Sequence, residues 1–207
     1  MSKQIRKASI EDAIAFIDIK STLSFKHVNG STTTGGFLLG TDLNTYHHYI
    51  REASCLVAEV NNNIVGFGIL FNDELLRNSS IWKRRSTANW LVDLQHYEKQ
   101  VLCYFEQLAF LPGHRSLVLS LAYKLVNEMF MTGAQTLVTT TVREPIVNLA
   151  AIPFIRAVNG IHAGLIDEEY AFIGHIKSDI YFIEKEKFYD QTRKHPLMPR
   201  IASNMIN

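Results

Sequence analysis

Residues 101–142 constrain the fold more than any other stretch of this 207-residue chain. They read as a strand over 101–111, a Pro112-Gly113 turn, a long helix from Arg115, and a β-branched strand over Gln135–Val142. In the helix, Leu117, Leu121, Leu125 and Met129 form one apolar row and Val118, Ala122 and Val126 the next. Ser116, Ser120, Lys124, Asn127 and Glu128 are expected to face outward, and Gly133 is a good helix stop. A strand–helix–strand unit of this kind predicts a right-handed parallel crossover. Its helix start aims free backbone N–H groups at whatever lies above the end of the first strand, which is an anion site suited to pyrophosphate.

The rest of the chain supplies antiparallel strands and covering helices. Ser9 followed by Asp12 reads as a capping box that opens a helix with an Ile10, Ala13, Ile17 stripe. A Gly, Ser and Thr-rich loop covers 26–40, where Gly35-Gly36 supplies turn geometry. A second helix over 42–52 has Asp42 near its start. Strands over 55–60 and 64–71 are joined through Asn61-Asn62-Asn63, a hairpin signal. Residues 72–99 are polar and irregular, too long for a simple connection and so a covering or functional insertion. A short helix over 149–158 ends at Asn159-Gly160, and strands over 161–166, 171–176 and 179–183 close the sheet. A single domain over 1–190 with a polar surface tail over 191–207 accounts for these elements.

Composition excludes several function classes. Hydrophobic residues make up 47% and charged residues 20%, enough apolar side chains for a full core. A net charge of +1 creates no field that recruits nucleic acid or an anionic membrane. No apolar run spans a bilayer, and Met1–Arg6 lacks a signal-type apolar core, so a cytoplasmic location is expected. Cys55 and Cys103 both lie in apolar strand-like runs and read as reduced core thiols. No Cys/His spacing fits a metal site.

Two motifs carry a family resemblance. Leu108-Ala109-Phe110-Leu111-Pro112 is followed by His114-Arg115, and Asn148-x-x-Ala151 leads to Asn159-Gly160-Ile161. In this order and separation they resemble the GNAT superfamily of acyl-CoA N-acyltransferases, over Ile5 to about Phe188. The resemblance implies an α/β (or α+β) fold: a mixed, mostly antiparallel sheet of six or seven strands flanked by helices, with its central strands splayed. It implies acetyl-CoA as co-substrate and no metal. Strand residues Ala109, Phe110 and Leu111 would pair with the pantetheine arm, and a backbone N–H near Phe110 would polarise the thioester carbonyl. Arg115, Ser116, Leu117, Val118, Leu119 and Ser120 would hold the pyrophosphate, mainly through backbone amides. The family's loop glycines are replaced here by Val118 and Ser120. Asn148 would cap the following helix and touch the pantetheine.

Glu106, mid-strand in apolar surroundings, stands where the family often places its general base. Gln107 is expected on the opposite face, so the two would not share a role. The family's thiol-protonating tyrosine is Ile155 here, beside Phe154, which leaves Tyr104, Tyr170, Tyr181 or solvent to give the proton. Of His47 and His48, one reads as surface and one as half-buried. Trp82 and Trp90 are expected to pin the insertion. Lys83-Arg84-Arg85 reads as a solvated loop that would suit an acidic partner.

The leading function on this reading is acetyl (or other acyl) transfer from coenzyme A to a small amine in a ternary complex. The alternatives are an acyltransferase using acyl carrier protein as donor, docked at the basic triplet, and a non-catalytic GNAT-like binding or regulatory domain. The oligomeric state is open between a monomer and a homodimer.

Overall fold

A computed structural model describes residues 2–23, 30–33, 35, 37–38, 40–170 and 174–203, without the side chains of Arg115, Arg200, Ala202 and Ser203. In chain order the elements are β1 (Lys3–Lys7), α1 (Ala13–Leu23), β2 (Gly30–Thr32), α2 (Leu43–Glu52), β3 (Ser54–Val60) and β4 (Asn63–Phe71). The insertion follows as α3 (Asp73–Asn78), α4 (Ser80–Lys83), a 3-10 turn (Arg84–Thr87), β5 (Asn89–Trp90) and α5 (Leu94–Glu98). Then come β6 (Leu102–Phe110), α6 (Arg115–Met131), β7 (Thr136–Glu144), β8 (Ile146–Asn148), α7 (Ile152–Ala157), β9 (Ile161–Tyr170), β10 (Gly174–Glu184), α8 (Lys185–Lys194) and α9 (Met198–Ser203).

Eight strands form one sheet in the order β1-β3-β4-β6-β7-β10-β9-β5. Every neighbouring pair is antiparallel except β6–β7, the pair that α6 crosses over to connect. The mixed, mostly antiparallel α/β architecture is therefore as expected. The strand beyond seven is the two-residue β5, which the insertion adds to the β9 edge. A parallel β2–β8 pair forms a second, small sheet.

Local chemistry explains most boundaries. Asp42 caps α2, its Oδ1 accepting from the Thr45 N–H at 2.8 Å. Asn61 and Asn62 take left-handed backbone, with φ of 51° and 65°, and turn the β3–β4 hairpin. Pro153 falls in the first turn of α7, where a missing N–H costs nothing.

Three expectations need correction. Residues 72–99 are largely helical rather than irregular, because Asn72, Ser79 and Asp93 each cap a short helix. The closing strands number two, not three. Asp167-Glu168-Glu169 fall between the first two expected strands, yet Asp167 and Glu169 point to solvent while Ile166, Glu168 and Tyr170 alternate inward. Residues 171–173, assigned to the third strand, lie outside the described residues, as do Gly36 and residues 26–29, 34 and 39 of the first loop. Ser120 is 0% exposed rather than outward-facing. The back of α6 is itself covered, since the Tyr189 hydroxyl of α8 donates to Asn127 Oδ1 at 3.0 Å and Lys185 Nζ to the Phe130 carbonyl at 2.6 Å.

Two cores flank the sheet. On the α6 face, Leu56, Leu70, Cys103, Phe105, Leu117, Leu121, Leu125 and Phe130 pack together. Gly68 lets α6 lie close: a Cβ there would come within 2.5 Å of Leu125 Cδ1 and 2.6 Å of Leu121 Cδ2. On the α1/α2 face, Phe16, Tyr46 and Phe67 form an aromatic cluster with Leu102, Tyr104 and Ala109. Cys55 and Cys103 are buried free thiols in separate cores, as expected.

Candidate active site at the parting of β6 and β7

The parallel pairing of β6 with β7 runs from Leu102–Thr136 to Phe105–Thr139 and then stops. Beyond that point the two strands part, and a cavity of about 200 Å³ opens between them. Its walls include Tyr104, Glu106, Gln107 and Leu108 of β6, Thr140 and Val142 of β7, Asn148, Phe154 and Ile155 near α7, and Glu168, Tyr170 and Ser178 of the closing hairpin.

A β-bulge places Glu106 there. Ile69 of β4 pairs with Gln107 and Leu70 with Phe105, so Glu106 is the extra residue between them. The bulge shifts the in–out phase of β6. Phe105 and Leu108 both face the α6 core, which leaves Glu106 and Gln107 together on the α1/α2 face. The expectation that Gln107 points away from Glu106 is thereby corrected: strict alternation fails where one residue is inserted. Gln107 is fixed in a buried network, its Oε1 accepting from the Tyr46 hydroxyl at 3.0 Å and its Nε2 donating to Thr41 Oγ1 at 2.8 Å.

Burial raises the Glu106 carboxyl to about 7, and the charge of Glu168 pushes it the same way. A hydrogen bond from Gln107 and the charge of Arg84 act against that rise. Near neutral pH this carboxylate can take a proton without being permanently ionised. Tyr104 donates or accepts at Thr140 Oγ1, 2.9 Å away, just past the last β6–β7 pair. Burial first, then the charge of Glu106, raise the Tyr104 hydroxyl well above its usual range. Burial, with Glu168 second, raises Tyr170. Both hydroxyls border the cavity and stay protonated at neutral pH. Tyr181 is not among the cavity residues and packs instead against the His162 ring, 5.3 Å between centroids.

Of the residues expected to contact the cofactor, Val118 and Asn148 line the cavity. The Leu111 N–H donates to the Val65 carbonyl of β4 at 2.8 Å. Antiparallel ladders alternate inward- and outward-pointing amides, so the Phe110 N–H points away from β4, toward the edge β7 has left. Ala109 precedes them in the strand, buried and paired with Phe67. Pro112 and Gly113 (φ 90°) turn the chain into α6, whose first residue is Arg115. The Arg115 side chain lies outside the described ones. Ser116 is exposed, Leu117 is buried in the α6 core and Leu119 is half-buried. Val118 is half-buried and lines the cavity, not the core as its helical row suggested. It precedes the covered stretch of α6, where Ala122 and Val126 are fully buried. Asn148 also borders the cavity, but its Oδ1 accepts from the Ala150 N–H at 3.1 Å. It closes a turn, whereas the residue flanking α7 is Ala151. Ile155 is buried against the cavity, so no hydroxyl stands at that place.

Sequence reasoning missed Glu168, Arg84 and the Gln107–Tyr46–Thr41 network. It also read the basic triplet as solvated. Arg84 in fact pairs with Glu168 at 2.7 Å and Arg85 with Glu98 at 2.6 Å, leaving Lys83 as the exposed member. Trp82 is buried, with the Arg77 and Arg85 guanidinium groups 5.2 and 4.9 Å from its ring. Trp90 Nε1 donates to the Arg85 carbonyl at 2.8 Å. Both indoles pin the insertion, as expected. His48 is exposed and His47 half-buried, also as expected. Among the described residues no group of histidines, cysteines and carboxylates is placed to hold a metal ion. No helix among them is long and apolar enough to cross a membrane.

No family model matches the sequence, and no curated protein matches it. Solved structures do. An N-acetyltransferase from Staphylococcus aureus superposes with a TM-score of 0.58 at 16% identity, over 89% of this chain and 99% of that one. Arabidopsis thaliana NAA60, solved in complex with acetyl-CoA, gives 0.59 at 11% identity over 88% and 99%. An acetyltransferase of the GNAT family from Streptococcus pneumoniae gives 0.51 at 14% identity over 88% and 99%. Over nearly its whole length, the chain has the fold of the GNAT N-acetyltransferases.

Proposed function

We propose that this protein is an N-acyltransferase that moves an acetyl group from coenzyme A to a small amine by direct attack in a ternary complex. The observation that carries the reading is the parting of β6 and β7 at Phe105–Thr139, with a bulged Glu106 facing the cavity so formed. The acyl thioester would enter along the open edge of β6, adding main-chain pairing near Ala109–Leu111 as a further strand does. The Phe110 N–H would donate to the thioester carbonyl and stabilise the charge that grows on it. The α6 start at Arg115–Ser120 and the nearby Asn148 would face the remainder of the coenzyme.

In the transfer, Glu106 takes a proton from the acceptor ammonium, freeing the nitrogen lone pair. The new C–N bond forms as the C–S bond breaks. The departing sulfur takes a proton from the Tyr104 or Tyr170 hydroxyl, or from water, and the nitrogen's second proton, lost through solvent as the amide forms, restores that donor. Holding both substrates in the cavity supplies most of the acceleration.

The carrier-protein alternative has less support, since Arg84 and Arg85 are held by carboxylates of this chain. The fold neighbours include one solved with acetyl-CoA, which favours the free coenzyme as donor. A cytoplasmic location fits a donor of that kind. Calorimetric titration with acetyl-CoA, followed by a panel of primary amines assayed for released thiol, tests the reading. Binding with turnover is the expected result. No binding at millimolar acetyl-CoA would overturn it.

A further inference from the structure

The insertion that separates β4 from β6 sends one charged side chain against Glu168, a residue of the cavity wall. Arg84 opens the 3-10 turn, and its Nη2 meets Glu168 Oε1 at 2.7 Å. The Glu168 side chain is 10% exposed, so it depends on this partner more than a surface carboxylate would. Arg84 is itself held. Its Nε donates to the Ser80 carbonyl at 3.3 Å, and its own carbonyl accepts from Thr87 Oγ1 at 2.8 Å. The turn that carries it is anchored by buried Trp82, by the Arg85–Glu98 pair and by the Trp90 bond to Arg85.

We propose that Arg84 is a positioning residue: by holding Glu168 in an ion pair, it offsets part of the charge that this second carboxylate exerts on Glu106, so that Glu106 remains the proton acceptor at neutral pH. The inference rests on the reading of Glu106 as the base and goes beyond it, because it gives the insertion a part in the chemistry. The groups that face Glu106 come from four elements. They are Tyr46 and Tyr49 of α2, Tyr104 and Gln107 of β6, Glu168 and Tyr170 of β9, and Arg84 of the insertion. The four tyrosines are raised by burial and stay neutral. Among these groups, Glu168 and Arg84 are the two that carry charge. Without Arg84, the Gln107 hydrogen bond alone would oppose the effect of Glu168 on the ionised form of Glu106.

The test follows the Glu106 carboxyl carbon by 13C NMR across pH, with Glu106→Gln identifying the signal and no acceptor needed. Wild type should titrate near 7. Arg84→Gln should move the midpoint up by about one pH unit, a tenfold change in the ionised fraction on the acidic side. Arg84→Lys should restore most of the shift, and adding Glu168→Gln to Arg84→Gln should bring the midpoint back to or below its wild-type value. A rescue of that kind separates an electrostatic part from a merely structural one. An unmoved midpoint in a folded Arg84→Gln protein overturns the proposal and leaves the base reading intact. A wild-type midpoint near the ordinary 4.5 of a glutamate removes the premise for the base as well.

Discussion

On the α6 face of the sheet, β6 contributes Cys103, Phe105, Leu108 and Phe110 to an apolar core. On the α1/α2 face, the same strand contributes Tyr104, Glu106, Gln107 and Ala109. The first face is closed by a 17-residue helix drawn in against Gly68. The second is opened by a bulge and by the loss of β7 as a neighbour. One strand thus supports two kinds of interior. The apolar side fixes the strand in place, and the polar side can then hold a carboxylate away from its preferred charge state. The rigid face makes the strained one possible.

The largest expected effect on stability lies on the apolar face. Leu121→Ala, at a fully buried position, should cost about 4 kcal/mol in urea unfolding. A loss under 1 kcal/mol would mean that the α6 core is not the anchor of β6.

The polar face should respond in the opposite sense. The folded-state carboxyl of Glu106 is raised from 4.5 to about 7, so the proton is bound more tightly in the folded chain. That contribution is fully present below pH 4.5 and is lost as pH rises through 7. Glu106→Gln, which cannot ionise, should therefore stabilise the fold by up to about 3 kcal/mol above pH 7 and add little near pH 4. Thermal unfolding at pH 8 and pH 4.5 checks the sign. A destabilised Glu106→Gln protein at pH 8 would show that the carboxylate is not held at a cost.

Smaller effects refine the contrast. Gly68→Ala should cost about 2 kcal/mol, because the added Cβ meets Leu121 and Leu125 well inside normal contact. Tyr46→Phe removes the donor to Gln107 Oε1 and should cost about 1 kcal/mol in unfolding. Its effect on turnover should exceed its effect on stability if the Gln107 network orients Glu106. Equal, small effects on both would make the network a packing feature alone.

The crossover 101–142 was legible because the signals in it are strong: an apolar row at helical spacing, with an apolar strand before it and a β-branched strand after it. The closing hairpin was less so. Asp167-Glu168-Glu169 fall between two expected strands, although alternate residues of an edge-side hairpin can be charged without leaving the strand. Glu106 was found by its place in an apolar strand, but its face was not. A signal did exist. Cys103 and Phe105 alternate in one phase and Leu108 and Phe110 in the other, with two polar residues between them. Such a phase slip marks a bulge. Arg84 and Glu168 lie 84 positions apart in the chain and meet only through the packing of the insertion on β9. No local pattern reports a pairing of that kind.

The proposed role of Glu106, bulged into the cavity between β6 and β7, is to take the proton in a coenzyme A-dependent transfer. Its most direct test is the pH dependence of thiol release at saturating acetyl-CoA and amine, for wild type and Glu106→Gln. The wild-type rate should fall as pH drops below about 7, and the variant should be slowed about 100-fold at neutral pH and lack this limb. A variant with the wild-type rate and the same acidic limb would contradict it.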